Sequence, residues 1–595
     1  MVNKRIEKLR EKMREAGVSA YLVPTSDFHQ SEYVGPYFKC REYITGFTGS
    51  AGTAVITMDE ACLWTDGRYF VQAERQLAGS NIILMKMGEE GVPTIEEYLK
   101  QHLNKNSCLG YDGKVVDRQL GEKLRNCLAD QKVSISSNRD LVGEIWGDRP
   151  LLLGEPFWIL GEDYTGESAL SKIRRLREKM KEENATVHMI TVLDDIVWLL
   201  NIRGTDIPCN PVVLSFLAIT ENKVILFIRE VSLNKENREY LEKINVQVRD
   251  YNEIYQFAAE LKNETVLMEK AKVNDCLWES LDHTNKIIDK MNPVSLMKAV
   301  KNQTEMEHIR RVHIKDGTAV TKFIYWLKKN IGKIPMDEIS VSQYLEKLRR
   351  QQEGYMGDSF STISAYGSNA AMCHYRATEE TNKVLEPRGF YLVDSGGQYM
   401  GGTTDITRTV AMGPLTEEEK THFTLVAISM LRMGHTKFLA GCSGVNLDLA
   451  AREVFWKRGL NFNHGTGHGV GYMLNVHERP NAFRWKEMSG TAWEFQEGML
   501  TSDEPGYYVE GSHGIRTENL VLCRKGEKNA YGQFMEFEFV TFAPIDLDAL
   551  DLSLMSREEI AWLNDYHKQV YEKISPYLDE EEKEWLREST REVNV

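Results

Sequence analysis

Four carboxylates and one imidazole between residues 390 and 518 are the side chains best placed to do chemistry. Asp394 and Asp405 lie in FYLVDSGGQYMGGTTDITRTV, His468 in NHGTGHGVGY, Glu504 in TSDEPGYY and Glu518 in GIRTENLVL. Taken singly they are ordinary, since an Asp at a turn is usually a solvated turn former and a His in a Gly-rich loop usually binds nothing. Brought to one point they differ, because converging carboxylates repel and some must hold protons unless cations are present. Two divalent ions about 3.5–4 Å apart relieve that conflict and can share a water that becomes nucleophilic at neutral pH. Four oxygens and one nitrogen form a hard donor set, which suits Mn or a similar ion better than a thiolate-bound structural Zn.

The chain must fold so as to gather the five. FYLV before Asp394 and ITRTV after Asp405 have strand character, and SGGQYMGGTT between them carries four glycines, a hairpin signal. Such a hairpin sets the two aspartates close, on one face of adjacent strands. EPGYYVEGSHG followed by IRTENLVL repeats the arrangement for Glu504 and Glu518. Arg516, two residues before Glu518, shares its strand face. Helices expected at 416–438 and 445–458 separate the aspartates from the histidine loop. There Gly465, Gly467 and Gly469 permit close backbone approach and unusual dihedrals beside His468. Two other readings of this loop fail. GTGHGVG lacks the register and βαβ context of a dinucleotide fingerprint, and HGTGH lacks the glutamate of a zincin helix.

The rest of the chain bounds the class. Its 595 residues set a soft prior of roughly four domains. With 42% hydrophobic and 27% charged residues, the composition is that of a soluble globular protein. A formal net charge of -15 argues against nucleic acid or an anionic membrane as partner. The nine cysteines are scattered without a CxxC, which fits reduced thiols in a cytoplasm. MVNKRIEKLREKMREAG has no signal-peptide core, and no run approaches the roughly 18 apolar residues of a membrane span, so the expected location is cytoplasmic. RIEKLREKMRE (5–15) and KIRRLREKMKE (172–182) match at seven of eleven positions, and each precedes strand-like runs, so an α/β unit is duplicated. The first copy alone carries SDFHQSEYVGPYFKCREYITGFTGSAG, where Asp27, His29 and Glu32 read as structural or contact residues rather than metal ligands. Asp66, Gly67 and Arg68 mark a turn, and Asp194 with Asp195 the N-terminal end of a helix.

The segments DSGGQYMGGTTDITRT, HGTGHGVG, SDEPGYY and GIRTEN resemble the pita-bread metallopeptidases, the group of methionine aminopeptidase, prolidase and aminopeptidase P. Over nearly the whole chain the likeness is to the long, three-domain aminopeptidase P form. It implies two related N-terminal α/β domains, residues 1–150 and 151–298, and a pita-bread α+β catalytic domain with a C-terminal extension, residues 299–595. It also implies hydrolysis of the first peptide bond of peptides with proline second, by a hydroxide bridging two metal ions, Mn before Zn or Co. Residue by residue, Asp394 becomes a chelating ligand beside the substrate amine, Asp405 and Glu518 bridging carboxylates, and His468 and Glu504 the completion of the second ion. Glu504 doubles as general base. His374 and His477 flank the scissile carbonyl, His464 shapes the proline subsite, and Tyr508 and Arg516 hold substrate or ligand. A homodimer is the family expectation. Alternatives are a prolidase, favoured less by the duplicated N-terminal unit, and a silent peptide- or histone-binding module, which would not need all five donors. A creatinase-type hydrolase lacks the metal ligands present here.

Overall fold

The computed structural model describes residues 1–152, 154–486 and 493–594. The chain divides into two compact units, Met1–Leu160 with Glu167–Val294, and Gly161–Gly166 with Ser295–Val595. No helix among the described residues is long and apolar enough to cross a membrane.

The first unit uses one α/β pattern twice. Helix α1 (Val2–Ala16) buries Ile6, Leu9 and Met13 and stops at Gly17, whose φ of 67° suits a residue without Cβ. Helix α2 (Ala169–Glu182) buries Ile173, Leu176 and Met180 in the same spacing. The first sheet contains β1 (Ala20–Pro24), β2 (Thr53–Thr57), β3 (Ala61–Thr65), β4 (Ile82–Lys86), β5 (Cys108–Tyr111) and β6 (Ser134–Ser136). The second contains β7 (Val187–Ile190), β8 (Ser215–Thr220), β9 (Val224–Ile228), β10 (Gln247–Asp250), β11 (Thr265–Met268) and β12 (Lys286–Asp289). Their orders, β4-β3-β2-β1-β5-β6 and β10-β9-β8-β7-β11-β12, are the same topology. In each, the first strand runs antiparallel to the second and parallel to the fifth.

The insert of the first copy begins with a buried stretch, Ser26–His29. The Asp27 carboxylate accepts from the backbone N–H of His29 and Ser31. The His29 ring donates from Nδ1 to Thr191 O and accepts at Nε2 from the Tyr251 hydroxyl, so neither nitrogen is open to a metal. Glu32 is exposed. Asp194 and Asp195 occupy the first turn of helix Leu193–Leu199, and Asp66 pairs with Arg68 at the surface.

The second unit contains α3 (Gln303–Asn330) and α4 (Glu338–Arg349), both closed by N-terminal capping boxes. Strands β13 (Tyr355–Asp358), β14 (Ile363–Tyr366), β15 (Phe390–Ser395), β16 (Gly397–Tyr399), β17 (Gly402–Thr403) and β18 (Ile406–Ala411) follow. They form two three-stranded sheets, β14-β15-β18 and β13-β16-β17. Helix α5 (Glu417–Gly434) is buried on nearly every side, as its almost continuous apolar sequence requires. It ends at Gly434, short of 438, because Phe438–Leu439 is drawn into pairing as β19. The helix expected at 445–458 is a short turn, Gly444–Leu447, followed by α6 (Leu449–Trp456).

The remaining strands are β20 (Gly467–Gly469), β21 (Glu478–Phe483), β22 (Leu500–Asp503), β23 (Gly506–Val509), β24 (His513–Arg516), β25 (Asn519–Asn529) and β26 (Gly532–Phe539). They make the sheet β19-β26-β25-β22-β20-β21 and the hairpin β23-β24. Helices α7 (Arg557–Ile574) and α8 (Glu580–Ser589) close the chain, with Ile560, Leu563, Tyr566, Val570 and Leu586 in the same apolar cluster as α5.

Candidate metal centre

Strand registers bring the acidic residues together. β15 and β18 pair with Asp394 opposite Thr407, which puts Asp405, one residue before β18, diagonally beside Asp394 on the same face. β22 and β25 pair with Asp503 opposite Asn519, so Glu504 and Glu518 face each other where that ladder ends. Thr407 knits the two pairs. Its hydroxyl donates to Glu518 Oε2 at 2.7 Å, and its carbonyl accepts from the Glu518 N–H at 3.1 Å.

The histidine loop is drawn in by close backbone contact. A Cβ on Gly467 would lie 1.7 Å from the Ser502 carbonyl oxygen, so only glycine lets β20 reach β22. None of Gly465, Gly467 and Gly469 has a left-handed φ, which corrects the expectation of unusual dihedrals: their role is clearance. The buried Ser502 hydroxyl accepts from His468 N–H at 2.9 Å and donates to Glu504 Oε1 at 3.2 Å, which ties this imidazole and carboxylate together.

His468 donates its Nδ1 proton to Gly469 O at 2.9 Å. Its Nε2 therefore faces Asp405 Oδ2 at 3.5 Å and Glu504 Oε1 at 3.3 Å. Asp405, His468 and Glu518 each offer one ligand atom within 4.8 Å of the others. Asp394 lies outside that group of three and is held by Arg516, whose guanidinium donates to Asp394 Oδ2, to the Tyr508 hydroxyl at 2.6 Å and to Thr407 Oγ1.

The electrostatics call for a cation. Burial raises Asp394 to about 6, against Arg516 and with help from Asp405 and Glu504. Burial likewise raises Glu504, and it drives Glu518 well above the usual carboxylate range with the charges of Asp405, Glu504 and Asp394. Burial would lower His468, but Asp405 and Glu504 outweigh it and lift the imidazole to about 9. Asp394 Oδ1 and Glu518 Oε1 are buried with no hydrogen-bond partner. Oxygen-rich, mutually repelling and short of donors, the set fits divalent cations.

Around it lie the other residues read from sequence. The His477 ring is 4.3 Å from that of His468. His464 donates from Nδ1 to Gly465 O, so its Nε2 accepts from Tyr508, which in turn accepts from Arg516. Burial, then the Arg516 charge, lowers His464 to about 3, so this imidazole is neutral. His374 follows the turn Gly367–Ala371 and is among the charges acting on His464. Gly514 of β24 abuts that turn, since a Cβ there would lie 1.8 Å from Ala370 O.

Several supports have no sequence motif. Glu338, on α4, accepts from Tyr366 N–H, Asn369 Nδ2, Tyr375 Oη and Lys383 N–H, and so fixes the segment around His374. Asp448 binds Arg452 and Thr466, while Arg452 donates to the carbonyls of Phe462 and His464. Lys298 and Lys301 both pair with Glu478, next to His477. Only the i,i+4 spacing of Asp448 and Arg452 was a visible signal.

Comparison with known proteins gives the family. The profile described as Metallopeptidase family M24 matches residues 307–525, and that of the C-terminal region of peptidase M24 matches 533–593. Two profiles described as Creatinase/Prolidase N-terminal domain match 5–141 and 148–305. "Probable Xaa-Pro aminopeptidase P" of Talaromyces marneffei is 39% identical over 99% of this chain and 92% of its own. The chain belongs to the aminopeptidase P group of metallopeptidase family M24. "Xaa-Pro aminopeptidase 1" of Dictyostelium discoideum is 36% identical over 97% of this chain and 94% of its own. The crystal structure of X-prolyl aminopeptidase from Caenorhabditis elegans, described as a cytosolic enzyme with a di-nuclear active site, superposes with a TM-score of 0.94. It has 34% identity and covers 100% of both chains. As a member of family M24 the chain is a metal-dependent aminopeptidase, with two creatinase-like N-terminal domains before the catalytic fold.

Proposed function

We propose that the chain removes the first residue from peptides whose second residue is proline. The observation that carries the metal-dependent hydrolysis is the His468 arrangement: Nδ1–H is committed to Gly469 O, and Nε2 is turned to Asp405 and Glu504, beside Asp394 and Glu518 carboxyls that burial raises. Held by Asp394, Asp405, His468, Glu504 and Glu518, two divalent ions, manganese before zinc or cobalt, would supply Lewis acidity toward a peptide carbonyl and toward water.

The protein's own groups do the rest. Glu504, steadied by Ser502, takes the proton of the attacking water and delivers it to the departing proline nitrogen. His374 and His477 meet the carbonyl oxygen as its charge grows. The substrate amine sits by Asp394, which restricts cleavage to the first bond. His464, neutral and fixed by Tyr508, lines the proline subsite, and Arg516 holds both Asp394 and Tyr508 in place. The domains are residues 1–150, 151–298 and 299–595. The names of the relatives support the proline requirement, and the cytosolic description of the nematode enzyme supports a cytoplasmic location for this one. A homodimer is proposed on the family's pattern.

The test is hydrolysis of Arg-Pro-Pro, Ala-Pro and Met-Ala-Ser by metal-stripped protein, with and without Mn. Mn-dependent release of Arg from Arg-Pro-Pro, with the others slow, is the expected result. Preference for Ala-Pro would make the chain a prolidase, preference for Met-Ala-Ser a methionine aminopeptidase, and no turnover with any metal a binding module.

A further inference from the structure

We propose that Arg408 and Tyr566 are positioning residues of the metal centre, through which the C-terminal region of the chain fixes Glu518. The proposal rests on the reading of Asp405 and Glu518 as metal ligands. Arg408 follows Thr407 on β18 and is 2% exposed. Its guanidinium donates to the carbonyls of Thr407 at 2.9 Å and Glu518 at 2.6 Å, and to Asn519 Oδ1 at 2.8 Å. The same group donates to the carbonyls of Ala543 and Pro544 and to the Tyr566 hydroxyl at 2.8 Å. All these acceptors are neutral. A fully desolvated guanidinium satisfied by dipoles is costly unless the geometry is well fixed, and here fixed geometry coincides with the backbone of a ligand.

The hub grips Glu518 from behind. The Glu518 N–H goes to Thr407 O, its carbonyl accepts from Arg408, and its Oε2 accepts from Thr407. Its Oε1 is left buried without a protein partner. Tyr566 closes the far side: it is fully buried on α7, accepts from Arg408 and donates to Ala543 O at 3.0 Å. Without that hydroxyl the guanidinium loses an acceptor that holds it against the Glu518 carbonyl. A helix about 50 residues downstream of the last ligand thereby sets that ligand's position, as outer groups commonly do at metal sites.

The test uses full-length, metal-stripped protein titrated with MnCl2 by calorimetry and by the Mn EPR signal, with thermal melting of the metal-free form alongside. Tyr566→Phe keeps the packing and loses the hydroxyl; its Mn affinity is expected to fall about 10-fold, and that of Arg408→Lys about 10- to 100-fold. Manganese binding equal to wild type in Tyr566→Phe overturns the proposal whatever happens to the melting temperature, and this variant decides the matter if Arg408→Lys does not fold. Glu518→Gln is the control. If it binds Mn like wild type, Glu518 is not a ligand and the proposal falls with that reading. If it weakens binding while Tyr566→Phe and Arg408→Lys do not, only the positioning role falls.

Discussion

Replacing Glu478 by Gln removes the carboxylate that two buried lysines share. Lys298 Nζ lies 2.9 Å from Glu478 Oε2, Lys301 Nζ binds Oε1, and the side chains are 6%, 0% and 1% exposed for Lys298, Lys301 and Glu478. Lys301 also donates to Val470 O at 2.8 Å. Removing one partner of a buried pair costs about 3–5 kcal/mol, because the remaining charge is stranded. At about 2–4 °C per kcal/mol, melting should fall on the order of 10 °C in the transition that manganese raises, which marks the unit bearing the site. Burial already lowers Lys301 against the pull of Glu478; without Glu478 it should lose its proton more readily. A lysine with a lowered folded pKa destabilises while it must be charged, so the deficit should shrink between pH 7 and 10. The triple variant Lys298→Met, Lys301→Met, Glu478→Met should melt above Glu478→Gln, since it removes both lysines together with the carboxylate they share and leaves Glu305 to the N–H of Asn302. A loss of less than about 2 °C in Glu478→Gln, or a triple variant that melts lower than the single one, would refute the account.

The remaining predictions concern the site. Glu504→Gln should lower kcat about 100- to 10,000-fold with an unchanged circular dichroism spectrum; near-normal turnover would remove Glu504 from the mechanism. Manganese must displace protons from Asp394, raised to about 6, and His468, raised to about 9, so Mn affinity by calorimetry should climb from pH 6 to 9. By the same shifts the metal-free protein gains stability as these groups protonate and loses it as pH rises through about 6 and then about 9, which scanning calorimetry of the stripped protein would show; a flat profile contradicts the shifts. Tyr508→Phe cuts the link between Arg516 and His464, and a hydrogen bond from a charged donor contributes about 1.5–3 kcal/mol. Its kcat/KM on proline peptides should therefore drop at least about 10-fold, and an unchanged value would leave the link without function.

What could be read from sequence was what local rules govern. Turn glycines between alternating strands announced the β15–β18 pairing, and a repeated Ile, Leu, Met spacing announced the duplicated unit. The supports of the site were not legible, because their partners are far apart in the chain. Lys298 and Lys301 in MKAVKNQTE read as solvated charges until Glu478 arrives from 177 residues further on. Glu338 reads as an ordinary first-turn acid, yet it satisfies donors from four residues of one loop. The small strands β16 and β17 read as plain turn, since two or three glycine-rich residues carry no period of their own; β16 pairs with β17 and with β13, which has no alternation either.

Two sheets of one topology in tandem carry a hazard of their own, because a strand of one copy can in principle insert into the other and trap the chain in an exchanged fold. The two copies differ at one matched position of their first strands. Tyr21 on β1 and His188 on β7 occupy equivalent places, opposite Gly110 and Leu267 on the parallel neighbour. Tyr21 donates to Arg139 O and accepts from Leu141 N–H, whereas His188 bonds Leu267 O and Asn292 Oδ1. The Tyr21 hydroxyl is satisfied by the backbone of residues 139 and 141, and the His188 ring by the Leu267 backbone and the Asn292 side chain, and a buried tip that lost such partners would carry their desolvation cost. Divergence at this one position therefore ties each copy's first strand to the segment that follows the last strand of its own sheet.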